Sequence, residues 1–134
     1  MTLNQLIKDT RSLGIVVLFS DIPDSKGRHL KLDNHKIIMI GKHLTDDEAI
    51  QILLHERAHF INNHYCNHLG TTTFCSKQEF EAEKARIEFN LNNYITSTPP
   101  EYWDTFNFID YFGFDSHHEN YINESFQKIV KNIN

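Results

Sequence analysis

Apolar residues recur at helical spacing in five segments of this chain. Each segment opens with Ser or Thr followed three residues later by Glu or Gln: Thr2/Gln5, Thr45/Glu48, Ser76/Glu79, Thr98/Glu101 and Ser116/Glu119. That pairing lets a side chain and a backbone N–H satisfy each other at a helix start, so it predicts five helix N-termini. Gly14 and Gly113 suit left-handed turns ending the first and fourth helices, and Pro99 and Pro100 suit the fourth helix's first turn. Between the first two helices the pattern changes. Residues 15–19 form an apolar, β-branched run that predicts a strand. Residues 28–32 and 35–40 predict two more, joined by a turn at Asp33 and Asn34, and 21–27 read as a loop. The order α-β-β-β-α-α-α-α predicts an α+β fold. The expected form is a small antiparallel three-stranded sheet packed beside a bundle of about five helices.

Composition narrows the possibilities. The chain has 134 residues and shows no repeat or Gly/Ser linker, so one domain over 1–134 is expected, with a C-terminal helical pair at about 99–134 packed on it. Thirteen basic against eighteen acidic residues give a net charge of −5, which argues against direct nucleic-acid binding and against a polybasic membrane contact. No apolar run approaches the roughly 20 residues of a spanning helix, and the start lacks a signal-peptide core. With two cysteines, Cys66 and Cys75, no disulfide framework is expected. A soluble, cytoplasmic, reduced protein is the expectation. Nine histidines stand out.

Two of them lie in His55-Glu56-Arg57-Ala58-His59, an H-E-x-x-H pattern. Residues i and i+4 share a helix face, so both imidazoles can reach one ion, and the Glu beside them can take a proton from its water. Zinc held by three protein ligands keeps a position for that water. At this composition chance would supply roughly 0.04 such patterns, so context matters. On a helix over residues 45 to about 63, His55, Glu56 and His59 form a polar sector about 100° wide, and apolar residues fill most of the remainder. A polar notch in a buried helix needs partners. The bland alternative is a pair of core histidines bonded to neighbours.

The next helix offers Glu79, Glu81, Glu83 and Glu88 as a third ligand. With Glu81 at 0° on a wheel, Ala82, Ala85 and Phe89 fall at about 40–100°, and Phe80, Ile87, Leu91 and Ile95 at about 240–320°. Glu81 then centres an inward arc, while Glu79 and Glu83 fall on the solvent side and Glu79 serves as Ser76's capping partner. Glu81 is the expected third ligand, Glu88 the runner-up, and an ion pair of Glu81 with Arg57 the alternative.

These residues resemble the ImmA/IrrE family of metallopeptidases, typical of phages and integrative elements. The resemblance rests on Phe19, Ile22, Pro23 and Gly27, on the strand 35–40, on the run 53–60 and on Glu79-Phe80-Glu81-Ala82-Glu83. The tail 106–130, with Tyr111-Phe112-Gly113-Phe114, is a weaker match. The resemblance implies His55 and His59 as ligands, Glu56 as catalytic base and Glu81 as third ligand of one zinc ion. It implies a cytoplasmic endopeptidase that cleaves a DNA-binding repressor. Arg57-Ala58 stands where the family commonly has Leu-Gly, and 91–95 only loosely echoes its Leu-Leu-Met-Pro; both departures bear on substrate choice more than on metal binding.

A non-catalytic metal-binding regulator that binds a repressor partner is the competing function, and a fourth protein ligand would favour it. A direct DNA-binding role is disfavoured by the acidic balance. The other histidines are expected outside the site. His64 lies about 140° round the helix from His59, and His68 beyond its end. His29, His35 and His43 read as surface or cross-strand residues, and His117 and His118 as an exposed helix start. The thiols of Cys66 and Cys75 read as structural. The late aromatics, Tyr102, Trp103, Phe106, Phe108, Tyr111, Phe112 and Phe114, read as core, with a partner-docking groove as the alternative.

Overall fold

Helix α1 (Leu3–Ser12) begins where Thr2 accepts from the Gln5 N–H while the Gln5 side chain accepts from the Thr2 N–H. The chain turns at Gly14, whose φ of +82° suits glycine. It then runs through strands β1 (Ile15–Ser20), β2 (Gly27–Leu32) and β3 (His35–Gly41). Helix α2 (Asp46–Ile61) carries the predicted capping box of Thr45 and Glu48. Helix α3 (Thr72–Ser97), a short 3-10 turn, α4 (Thr105–Phe112), a second 3-10 turn and α5 (Glu119–Ile133) complete the chain. This computed structural model describes residues 1–22, 25–63 and 72–133, the side chains of 72–76 and 133 excepted. Pro23, His64, Cys66 and His68, and the side chain of Cys75, therefore lie outside the described residues. Among the described residues no helix is long and apolar enough to cross a membrane.

The fold is α+β as expected, but the sheet is mixed. Its order is β1-β3-β2, with β2 antiparallel and β1 parallel to β3. The β2–β3 hairpin is a local event. Asp33 and Asn34 take φ of +48° and +67°, as a tight turn matched to strand twist requires. That hairpin occupies one edge of β3, so β1 takes the other, Ile15 opposite Lys36 and Phe19 opposite Ile40. The strand pattern revealed three strands but not which edge the first would choose.

The chain divides into two compact units, Met1–Arg86 and Ile87–Asn134. In the first, α2 and α1 cover one sheet face, burying Ile15, Val17, Ile38 and Ile40 with Ala49, Leu53 and Ala58. Arg57, foreign to the resembled pattern, ties α2 to α1: its guanidinium donates to Asp9 at 2.6 Å and to the buried Thr10 hydroxyl at 3.4 Å. Arg57 therefore pairs with Asp9, not with Glu81.

In the second unit Ile87, Leu91, Phe108, Phe114, Ile122 and Phe126 form the core, with Trp103 and Phe112 against it. Phe108 meets Tyr94, Phe114 and Phe126 at ring separations of 5.4–5.8 Å. The aromatic run is thus core only in part, since Tyr102, Phe106 and Tyr111 are exposed. Gly113 ends α4 in the left-handed region as predicted. The later helix starts differ from expectation. Ser76 lies inside α3, Asp104 caps α4, and Asp115 caps the turn before α5. That turn buries His118, which had been expected in solvent.

One close approach sets the position of α2 on the sheet. A Cβ on Gly27 would stand 2.2 Å from Ile52 Cγ2, and Ile52 is β-branched and rotamer-restricted in its helix. Gly27→Ala should therefore destabilise the fold by about 1–3 kcal/mol in denaturant unfolding, through overpacking.

Candidate metal centre

Helix α2 presents His55 and His59 one turn apart, their Nε2 atoms 3.3 Å from each other and their rings nearly perpendicular, at 77°. His59 is 3% exposed and His55 half-buried. The carboxylate facing both belongs to α3: Glu79 Oε2 lies 2.9 Å from His55 Nε2, and Glu79 Oε1 lies 3.2 Å from His59 Nε2. On the far side of the His55 ring, Nδ1 lies 3.2 Å from Glu83 Oε1. Glu83 is itself held by Arg86, whose Nε donates to Oε2 at 2.8 Å and whose Nη1 donates to Gln51 of α2 at 3.1 Å. From β2, His29 Nδ1 is hydrogen-bonded to Glu56 Oε2, and the His29 ring stacks on His59 with centroids 4.4 Å apart.

The structure thus gathers His55, Glu56 and His59 as the sequence pattern anticipates, but not Glu81. Glu79 and Glu81 are both exposed, and it is Glu79 that lies beside both histidines. The physical reason lies in the length of α3. Its first half serves the first unit and turns Gln78 and Ala82 inward; its second half serves the second unit and turns Ile87 and Leu91 inward. On the wheel centred on Glu81 these two arcs centre near 80° and 260°, so the helix has no single inward face centred on Glu81. Glu79 and Glu83, near 160° and 200°, are the carboxylates that meet His55. The capping role given to Glu79 also disappears, because α3 starts four residues before Ser76. Glu83 is no solvated face, and Glu88 accepts instead from the Tyr121 hydroxyl at 2.8 Å, within the second unit.

Electrostatics at this centre follow from one imidazole between two carboxylates. Burial disfavours a charged His55, but the hydrogen bonds and charges of Glu79 and Glu83 outweigh it and raise its pKa to about 9. Hydrogen bonds from His55 and His59 hold the Glu79 carboxyl far below its usual range. Burial opposes ionisation of Glu83, yet the His55 and Arg86 contacts still lower its pKa.

Do these residues fit a metal ion? Zinc bonds of 2.0–2.1 Å at tetrahedral angles place neighbouring ligand atoms about 3.3–3.4 Å apart. The two Nε2 atoms are 3.3 Å apart, near that spacing, and Glu79 sets one oxygen against each, Oε2 at 2.9 Å from His55 and Oε1 at 3.2 Å from His59, so two imidazoles and one carboxylate converge within reach of a single ion. Glu83 at Nδ1 would hold the tautomer that leaves the Nε2 lone pair free for an ion. A borderline cation with imidazole and carboxylate ligands suits this donor set.

Two imidazoles and a glutamate on α2, with a carboxylate from α3 facing the imidazoles, are a side-chain set that suits a metallopeptidase. Residues 10–102 match the family described as the IrrE N-terminal-like domain, and the chain belongs to that peptidase family. No curated protein and no solved structure matches it significantly.

Metal titration separates the carboxylates. Glu83→Gln should weaken zinc affinity by about 10–100-fold, because it loosens the orientation of His55. Glu79→Gln should cost more than that, and Glu81→Gln should leave the affinity unchanged.

Proposed function

We propose that the protein is a zinc-dependent endopeptidase acting on a DNA-binding repressor in the cytoplasm. The observation that carries the metal-dependent reading is the His55–His59–Glu79 triangle with Glu56 beside it on α2. The repressor as substrate rests on the family resemblance. Zinc held by His55, His59 and Glu79 would polarise the scissile carbonyl and acidify the attacking water.

The chain's own residues then handle the proton. Glu56 accepts it as the water oxygen bonds to the carbonyl carbon, and delivers it to the amide nitrogen as the C–N bond breaks. Its Oε2 is engaged by His29, and among the described residues no protein donor engages Oε1, the oxygen left to face the water. Glu79 stays ionised across the neutral range and Glu83 holds His55 in register.

Glu56→Gln should keep the metal and abolish cleavage of a candidate repressor in the purified reaction, and a chelator should abolish cleavage by the wild type. Cleavage by Glu56→Gln at the wild-type rate would refute the mechanism.

Metal loading should depend on pH with a definite sign. The proton on His55 occupies the nitrogen a metal needs, and its pKa of about 9 lies above the ordinary 6.5. Apparent zinc affinity should therefore rise with pH until about 9 and be lower by roughly 100-fold at pH 7 than at that limit. In the protein without metal the same pairing stabilises the fold fully below about 6.5, and this contribution is lost as pH rises through about 9. Isothermal titration and unfolding at a series of pH values check both signs.

A further inference from the structure

The site contains a third histidine that the H-E-x-x-H logic does not use. We propose that His29 is a positioning residue for Glu56, fixing which carboxylate oxygen faces the attacking water. The proposal deepens the peptidase reading and rests on it.

Backbone geometry puts His29 there. Residues 27, 29 and 31 of β2 share one face, because side chains alternate along a strand. Gly27 shows that this is the face against α2, since a Cβ at that position would strike Ile52. Two residues further along the strand, about 6.6 Å, stands His29; four residues further along the helix, about 6 Å, stands Glu56. The two elements advance in step, so the approach that glycine allows at Ile52 brings the imidazole onto the Glu56 carboxylate. Register with Ile38 on β3 fixes the strand along its length.

The ring itself is clamped. It stacks on His59 at 21° between planes and meets the edge of Phe60 with centroids 5.5 Å apart, at 82°. A clamped ring gives its Nδ1 one direction, and that direction meets Glu56 Oε2. An N–H donated to an ionised carboxylate is a strong hydrogen bond. It holds a side chain that otherwise has several rotamers, and small misplacements of a reacting group are costly in rate.

His29 also forms, with Glu56 and His59, a second group of donors close enough for a cation. Glu79 with His55 and His59 has the better claim, because its carboxylate spans both Nε2 atoms and Glu83 orients His55 from behind. Binding through His29 would also remove Glu56 as base.

The test uses the full chain loaded with cobalt(II) and titrated with acetohydroxamate, read in the visible spectrum. A hydroxamate on the metal presents a hydroxyl where the water would lie, so its affinity reports the Glu56 oxygen without any peptide substrate. His29→Phe keeps a ring to stack on His59 and removes the N–H. His29→Asn removes the ring and keeps a donor near the Nδ1 position. Positioning predicts about tenfold weaker hydroxamate binding for His29→Phe and for Glu56→Gln, and binding within about threefold of wild type for His29→Asn, with one cobalt per chain throughout. Wild-type affinity in His29→Phe, or loss in His29→Asn alone, would reduce His29 to a packing role and overturn the proposal. A second cobalt per chain that His29→Phe abolishes would overturn it too, by making His29 a metal ligand. No cobalt uptake by the wild type would instead refute the metal reading beneath it.

Discussion

The close contact between α2 and the β2–β3 hairpin is the constraint on which the rest of the first unit depends. Gly27 leaves room for Ile52, so the helix lies against the sheet without a spacer side chain between them. Ile38 and Ile40 on β3 then meet a helix face of Ala49, Leu53 and Ala58 and are fully buried. Arg57 fixes the other flank of α2 through Asp9 and Thr10 of α1. A helix held on two sides has little freedom to rotate. His55, Glu56 and His59 therefore emerge along one fixed stripe, where partners from β2 and α3 meet them.

Those partners divide the work by charge. Glu79 and Glu83 bracket the His55 ring, one at each nitrogen, which fixes its orientation and favours a proton there. Two carboxylates around one imidazole outweigh its burial and raise its affinity for a proton. Arg86 links Glu83 to Gln51 and so couples the supporting carboxylate back to the helix that carries the histidines. Glu56 stands apart from this network, bonded to His29 from the sheet. The three side chains thus leave one helix, but their supports come from two elements: α3 for His55 and His59, β2 for Glu56.

Much of this was readable in the chain. Two of the five capping boxes, at Thr2 and Thr45, form as the pattern indicates, and the Asp33–Asn34 turn and the Gly113 helix end follow from local chemistry. The other three pairings do not cap, because neighbouring residues offer better starts: Asp104 and Asp115 accept the orphan N–H groups, and α3 begins upstream of Ser76. The parallel partnership of β1 with β3 was not legible, since strand-forming residues do not encode an edge.

The sequence by itself determined the elements and the one-turn pairing of His55 with His59, because both are consequences of short-range geometry. It also determined that Glu56 would stand beside them. Tertiary structure alone decided that Glu79 and not Glu81 lies against both histidines. A helix serving two cores has no single inward face, so its periodicity cannot reveal which carboxylate turns toward α2. Tertiary structure also brought in His29 from 27 residues away, through a strand register and a glycine contact that no spacing rule expresses. Local interactions are written in neighbouring residues; the choice among equivalent side chains is made only when separate elements pack.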